Sequence, residues 1–228
     1  IGSPESDGPG NARSRAGEVA VIFGRADRLQ SIYLATPPSG VFFVYGATGS
    51  DGLGDAVASG DVNGDGFYEL LAGARDGDGP ADTRSDAGDV VIVYGGPDLY
   101  LDIDLDTAPD GVAVVHGADS GDELGASIAA GDVNGDGLDD AILGARFGDG
   151  PRNGRTYAGE ATIVYRQSTT LSDLDLATFP DGTTRIHGAN AYDYLGQSVA
   201  AGDLNGDGFD EVALGSDWAD GPDNLRET

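Results

Sequence analysis

Three short stretches of the chain combine acidic, amide and glycine residues in the same order. Residues 61–66 read DVNGDG, residues 132–137 repeat it, and residues 203–208 read DLNGDG, so successive copies start 71 residues apart. Counting the first Asp as position 1, side-chain oxygens occur at positions 1, 3, 5 and 9, and position 7 adds a backbone carbonyl. Oxygen ligands at these spacings suit a hard cation of the size of Ca²⁺. The candidate ligands are Asp61, Asn63, Asp65, Phe67, Glu69, Asp132, Asn134, Asp136, Leu138, Asp140, Asp203, Asn205, Asp207, Phe209 and Glu211.

Electrostatics predicts that cation binding is coupled to the folded shape of each loop. Three carboxylates held about 4 Å apart repel one another by roughly 4 kcal/mol per pair at an effective dielectric near 20. A divalent cation reverses the sign of this energy, and Gly64 and Gly66 allow the positive φ values of a tight loop. The alternative is an Asx-rich turn in an acidic protein. Because an acidic residue recurs at position 9 in all copies, we expect three Ca²⁺ sites.

The loops differ from the EF-hand, another calcium-binding loop. An EF-hand needs a bidentate Glu at position 12 and a helix on each side. Position 12 is occupied here by Ala72, Leu143 and Leu214, each inside a strand-like run. The EF-hand interpretation is therefore rejected.

The same 71-residue period organises the rest of the chain. Gly17, Gly88 and Gly159 each precede a β-branched run at equivalent positions. In the middle copy, strand-like runs occupy 124–130, 139–144, 159–165 and 183–187, each bounded by turn residues. No stretch keeps a helical apolar period, although 171–177 has room for one helical turn. Four antiparallel strands per repeat are typical of a β-propeller blade, so we predict an all-β propeller.

The segment LGASIAAGDVNGDGLDDAILGA, residues 124–145, resembles the FG-GAP repeat of the integrin α N-terminal propeller and of integrin-like bacterial surface proteins. Leu-Gly stands where that family has Phe-Gly, and Gly-Ala-Arg or Gly-Ser-Asp replaces Gly-Ala-Pro. The resemblance implies a seven-bladed propeller with calcium in the hairpin between strands one and two of several blades. It also implies that ligands bind on the opposite face, through the loops from strand two to three and from strand four to the next blade.

The repeat phase divides this single propeller segment into blades. Residues 1–46 form the second half of one blade, 47–117 and 118–188 form complete blades, and 189–228 form the first half of another. This is about three blades' worth, whereas propellers close with about four to eight blades. We expect the remaining blades to come from a longer chain, as the missing initiator Met also indicates. The alternative is a second copy that closes the ring by exchanging half blades.

Composition restricts the classes of partner. The chain has 40 acidic residues against 12 arginines, a net charge of −28, and neither Lys nor Cys. Such a surface repels nucleic acid and anionic membranes. The longest apolar runs, 19–23 and 90–94, are too short to span a bilayer, so no membrane insertion is expected. We expect an extracellular or cell-surface protein, of prokaryotic type.

The function expected from these features is adhesion or recognition, without enzyme activity. The ligand would be a protein or carbohydrate on the loop face opposite the hairpins. Candidate anchors there are aromatic residues, although packing between neighbouring loops would also explain them. His116 and His187 hold equivalent repeat positions, which favours a structural role. Alternatives are a propeller accessory to a hydrolase or other enzyme whose catalytic part lies outside this chain, and a structural subunit closed by strand exchange. The aromatic candidates are Phe147, Tyr157, Tyr192, Tyr194 and Trp218.

Overall fold

The computed structural model describes residues 1–26, 31–97, 99, 101–165 and 172–219, and within these ranges the chain is built from short strands. Helical geometry in the described residues is confined to three-residue 3-10 turns, such as Leu105–Thr107 and Leu176–Thr178. The strands are β1 (Gly2–Ser3), β2 (Glu18–Ile22), β3 (Val41–Tyr45), β4 (Val57–Gly60), β5 (Glu69–Ala74), β6 (Asp89–Val93), β7 (Ile103–Asp104), β8 (Val112–His116), β9 (Leu124–Gly131), β10 (Asp140–Ala145), β11 (Glu160–Val164), β12 (Leu174–Asp175), β13 (Thr183–His187), β14 (Ser198–Gly202) and β15 (Glu211–Gly215).

Consecutive strands pair into antiparallel sheets, each following the order of the chain. One sheet joins β4, β5, β6 and β8, and the next joins β9, β10, β11 and β13. Strands β1, β2 and β3 form part of an earlier sheet, and β14 pairs with β15 in a later one. The prediction of an all-β propeller with four-stranded antiparallel blades is confirmed. In the middle copy, the predicted strand positions agree with the observed ones to within one residue at each end.

Two very short strands were not predicted, and they connect neighbouring sheets. Strand β7 runs parallel to β3 of the preceding sheet, with Val44 opposite Ile103, and β12 pairs in the same way with β8. Asp102 Oδ1 accepts the Phe43 amide at 2.9 Å beside the first of these pairs. We call residues 101–109 and their counterparts 172–180 the straps. The helical turn considered for 171–177 is a 3-10 turn within the second strap, and residue 171 lies outside the described residues.

The hydrophobic core lies between successive sheets. One buried cluster joins side chains of β2 and β3 with side chains of β5 and β6, and a second joins β5, β6 and β8 with β10 and β11. Small residues let the sheets approach one another closely. A Cβ on Gly73 would lie 2.1 Å from the Gly125 carbonyl oxygen, so β5 and β9 need glycine at this crossing. Successive sheets therefore pack against each other through their apolar faces.

Candidate functional site

The first Asp of each predicted cation loop organises the backbone around it. The loops join β4 to β5, β9 to β10 and β14 to β15. Asp61 Oδ1 accepts the amides of Gly64 at 2.7 Å and Asp65 at 3.1 Å, and Oδ2 accepts that of Gly66 at 3.1 Å. The carboxylate therefore gathers three N–H groups of its own loop. The other loops repeat this arrangement, with Asp136 and Gly137 donating to Asp132 and with Gly206, Asp207 and Gly208 donating to Asp203.

Positions 3 and 5 form Asx turns that fix the next part of the loop. Asn63 Oδ1 accepts the Asp65 amide at 2.8 Å, and Asp65 Oδ1 accepts the Phe67 amide at 2.8 Å. Gly64 and Gly66 have φ of 75° and 88°, in the left-handed region predicted for them. The side-chain oxygens of positions 1, 3 and 5 are thus held within one backbone turn. The corresponding residues are Asn134, Asp136 and Leu138, then Asn205, Asp207 and Phe209.

The acidic residue at position 9 lies at the base of the loop. Glu69 is fully buried, its Oε2 accepts the Val62 amide at 2.9 Å, and its Oε1 accepts from Asn63 Nδ2 at 3.1 Å. Burial raises the pKa of this carboxyl, and the Gly95 amide, which donates to Oε1 at 3.3 Å, opposes the rise. Position 9 therefore ties the loop backbone to the sheet. Asp140 accepts from Val133 and Asn134 in the same way, and Glu211 accepts from Leu204 and Asn205.

The predicted ligand set is therefore only partly brought together. Positions 1, 3 and 5 share one turn, whereas position 9 is engaged by amides, and Phe67, Leu138 and Phe209 at position 7 have only a backbone carbonyl to offer. Among the described residues, no three acidic or histidine side chains form a cluster that could hold a metal ion. Within the described part of the chain, Asp61 Oδ2, Asn63 Oδ1 and Asp65 Oδ1 each accept one hydrogen bond, which leaves a second lone pair on each. This all-oxygen donor set fits a hard cation such as Ca²⁺.

Position 8 of the loop links neighbouring hairpins, and it was missed in the sequence. Asp139 Oδ2 accepts the Asp61 amide at 2.9 Å, while the Asp139 amide donates to the Asp61 carbonyl at 3.2 Å. Asp210 forms the same pair of bonds with Asp132, at 3.0 and 2.8 Å. Tyr68 occupies this position in the first hairpin and is 67% exposed. The recurrence of Asp 71 residues apart was a detectable signal, but it did not identify the partner.

The five aromatic candidates lie together at the opposite ends of the hairpin strands. Phe147 and Tyr157 belong to the loop after β10, Tyr192 and Tyr194 precede β14, and Trp218 follows β15. Ring centroids are 5.1 Å apart for Phe147 and Tyr157, 5.9 Å for Tyr157 and Tyr192, and 6.2 Å for Tyr194 and Trp218. Tyr194 also contacts Phe147 at 5.7 Å. We call these five residues the aromatic patch. Its rings pack against one another, yet Tyr192 and Trp218 remain 49% and 57% exposed.

Both histidines pair with a carboxylate on the neighbouring strand. His116 Nδ1 lies 2.8 Å from Asp89, and His187 Nδ1 lies 2.9 Å from Glu160. In each case the two residues face each other in the strand register. The equivalent geometry in two repeats agrees with a structural role. No helix of the described part of the chain is long and apolar enough to cross a membrane.

Comparison with known proteins identifies the repeat. The FG-GAP repeat family pattern matches residues 53–93, 124–164 and 195–225. Phosphatidylinositol-glycan-specific phospholipase D from Bos taurus is 34% identical over 173 residues, covering 74% of this chain and 19% of that protein. Integrin alpha pat-2 from Caenorhabditis elegans is 28% identical over 180 residues, covering 74% of this chain and 13% of that protein.

A further relative, integrin alpha-5 from Xenopus laevis, is 31% identical over 118 residues, covering 46% of this chain and 11% of that protein. The chain spans about a fifth of the length of the phospholipase D relatives. The matched segments contain all three hairpins, together with the strands that carry them. The chain therefore belongs to the FG-GAP repeat family of β-propeller proteins.

Proposed function

We propose that this chain is part of an extracellular recognition module whose hairpins bind calcium and whose aromatic patch binds a protein or carbohydrate ligand. The observation that carries the proposal is the contiguous patch of five rings on loops at the far ends of the hairpin strands. Exposed aromatic side chains that are already packed lose little conformational entropy on binding, and such residues dominate many binding interfaces. The role of the patch is thus contact with a partner.

Calcium would stabilise the blades at the hairpin loops, which lie at the ends of the strands opposite the aromatic patch. Each hairpin keeps three oxygens of positions 1, 3 and 5 on one turn, and the acidic residue at position 9 ties that turn to the sheet. A bound cation offsets the mutual repulsion of the carboxylates in a chain of net charge −28. The three proposed ions are held by loops without the bidentate Glu of an EF-hand, which favours weak sites that fill at extracellular calcium concentrations.

The proposed ligand surface is tested by direct capture. The chain is applied to a printed glycan array and to a panel of immobilised extracellular-matrix proteins, together with Tyr192→Ala and Trp218→Ala variants. Tyr33→Ala is the matched control, because Tyr33 is 71% exposed and is not part of the patch. We expect a retained ligand that is lost with both patch variants and kept with the control. Capture that survives both patch substitutions would contradict the proposal.

Trp218 provides a second measurement, because it is the only tryptophan of the chain. Its indole lies 6.2 Å from the Tyr194 ring, so its fluorescence reports on the patch. Addition of the captured ligand is expected to change the emission maximum or intensity of Trp218. An unchanged spectrum at saturating ligand would place binding elsewhere.

A second candidate function is a propeller accessory to an enzyme, favoured by the 34% identity to the phospholipase D from Bos taurus. In that case the catalytic groups would lie outside these 228 residues, and the chain alone would be inactive. A screen of the chain with p-nitrophenyl esters and phosphodiesters separates the cases. Turnover by the chain itself would contradict the non-enzymatic role proposed for it.

We further propose that additional blades, from a longer chain or a second copy, cover the outer face of β14. A Cβ on Gly60 would meet Ala130 at 2.6 Å, whereas one on the equivalent Gly202 would meet nothing within 4 Å. Among the described residues, the Gly202 face thus lacks the neighbour that covers its counterpart. Light scattering combined with intact mass tests the second-copy arm, since a monomer of the 228-residue chain would exclude it.

A further inference from the structure

A cavity in one blade has a partly filled counterpart in the next. Between β6, β8 and the first strap, residues of the 47–117 repeat enclose about 410 Å³. In the 118–188 repeat, Arg185 divides the corresponding space into an inner part of about 10 Å³ and an outer part of about 550 Å³. The eight residues that line the inner part all have counterparts, 71 positions earlier, among the residues that line the large cavity. The two repeats therefore build the same site and differ in what fills it.

Two of the substitutions between the repeats place larger side chains in the second space. Arg185 fills the inner part of the space in the second repeat, where Val114 stands in the first, and Phe179 stands where the first repeat has Ala108. The Arg185 guanidinium donates through Nη2 to the Leu176 carbonyl at 2.9 Å and lies 4.6 Å from the centroid of the Phe179 ring. Its Nε lies 3.8 Å from Glu160 Oε2, and the side chain is 14% exposed. The chain itself thus shows a guanidinium bound in this site.

The open copy keeps the acidic groups without the cation. Asp51, Asp82, Asp89 and Asp173 line the cavity, and no arginine is among its lining residues. Asp89 pairs with His116, and Asp173 Oδ1 accepts the Val114 amide at 3.0 Å. Within the described residues, the Asp51 carboxylate has no hydrogen-bond partner. Burial and then the charge of Asp89 raise the pKa of Asp51 to about 7. The cavity is therefore lined by four acidic groups and by no arginine that could pair with them.

The apolar side chains that line the cavity suit a ligand whose cation is carried on an apolar stem. Leu53, Val91 and Val112 line the cavity between its acidic groups. Its volume lies within the range of about 300–1,000 Å³ that small-molecule sites occupy. A planar guanidinium presents five N–H donors in a fixed fork, so it can donate to a backbone carbonyl while it pairs with a carboxylate, as Arg185 does in the filled copy.

We propose that the cavity of the 47–117 repeat binds the guanidinium group of an external ligand, in the place that Arg185 fills in the next repeat. Asp89 takes the position of Glu160, the Leu105 carbonyl takes that of Leu176, and Asp51 supplies a further carboxylate. The ligand is a guanidinium on a short apolar stem, either a free small molecule or an arginine side chain of a partner. The site shares no lining residue with the aromatic patch or with the three predicted cation loops, so it stands independently of the proposed function.

The test is a calorimetric titration of the 228-residue chain with n-propylguanidinium chloride, with sodium chloride at matched ionic strength as the blank. A second arm uses the blocked peptide acetyl-Gly-Arg-Gly-amide. We expect saturable binding of one molecule per chain. Binding of both probes assigns an arginine side chain as ligand, and binding of n-propylguanidinium alone assigns a free small molecule. Absence of saturable binding in both arms would overturn the proposal.

Variants distinguish specific binding in the cavity from nonspecific electrostatic binding to an acidic protein. Val114→Arg supplies an internal guanidinium and is expected to abolish binding. Asp51→Asn is expected to weaken it by roughly 10-fold to 100-fold, the value of a hydrogen bond to a charged group. Asp122→Asn, the same change in the filled repeat, is the matched control and should leave the affinity unchanged. Far-UV circular dichroism checks folding, and Asp51→Asn decides the question if Val114→Arg does not fold. Equal affinity of wild type and Asp51→Asn would overturn the assignment.

The reverse change predicts a gain of binding. In the double variant Arg185→Val with Phe179→Ala, the filled space of the 118–188 repeat acquires the side chains of the open one at these two positions. We expect two molecules of n-propylguanidinium per chain in the folded variant. A stoichiometry that stays at one in a variant with the wild-type circular dichroism spectrum would contradict the equivalence of the two sites.

Discussion

Replacing Asp139 with alanine is expected to weaken the link between consecutive hairpins. The substitution removes the bond that Asp139 Oδ2 accepts from the Asp61 amide at 2.9 Å and keeps the backbone bond at 3.2 Å. A hydrogen bond to a charged group is worth about 1.5–3 kcal/mol, and loss of one carboxylate from an acidic surface offsets part of it. We expect the free energy of unfolding to fall by about 1–2 kcal/mol. In a chain of this size, that lowers Tm by about 2–8 °C.

The assay is urea unfolding followed by far-UV circular dichroism, repeated with and without Ca²⁺. Tyr68→Ala is the matched control, because Tyr68 holds the same position in the first hairpin and is 67% exposed. Surface substitutions of this kind change stability by less than about 0.5 kcal/mol. Asp210→Ala is expected to behave like Asp139→Ala, since it removes the same bond to Asp132. Equal stability of Asp139→Ala and Tyr68→Ala would refute the reasoning.

Three further predictions concern packing and charge. Gly60→Ala is expected to lower the free energy of unfolding in urea by about 1–3 kcal/mol, because the new methyl group overpacks the sheet interface. Gly202→Ala should not lower it, because a Cβ at Gly202 meets no described atom within 4 Å. Leu143→Ala should cost about 2–5 kcal/mol in the same assay, because Leu143 is fully buried in the second core cluster. Burial and the nearby Glu160 raise the pKa of Asp122 to about 8, so the folded state holds this proton more tightly than the unfolded state and stability is lost as pH rises from about 4 to 8. Asp122→Asn should therefore match wild type at pH 4 and exceed its stability by about 1–3 kcal/mol at pH 9, as measured by urea unfolding at both values.

The local structure of the repeats could be predicted from the sequence. Strand 139–144 was predicted from its turn-bounded apolar run, and the structure places it at Asp140–Ala145. Gly64 and Gly66 were expected to have positive φ, and both do. These features depend on residues within about ten positions of one another, where turn preferences and strand alternation act directly.

Contacts between residues far apart in the chain could not be predicted from the sequence in the same way. The bond from Asp61 to Asp139 spans 78 positions, and the strap strand β7 pairs with a strand about 60 positions earlier. Neither partner leaves a local pattern, because each is fixed by how two sheets pack. The hydrogen bonds of the Glu69 carboxylate could not be predicted for a related reason. Its acidic type fits a cation ligand, but its burial directs both oxygens to amide donors.

The most direct test of the account is a calcium titration of the chain, which was first freed of metal with a chelator. We predict three bound Ca²⁺ per chain, with dissociation constants of about 0.1–1 mM, and a rise in Tm on binding. Alanine at Asp61, Asp132 or Asp203 should each reduce the number to two, whereas Tyr68→Ala should leave it at three. A chain that binds no calcium, or whose Tm is the same in Ca²⁺ and in chelator, would contradict the account.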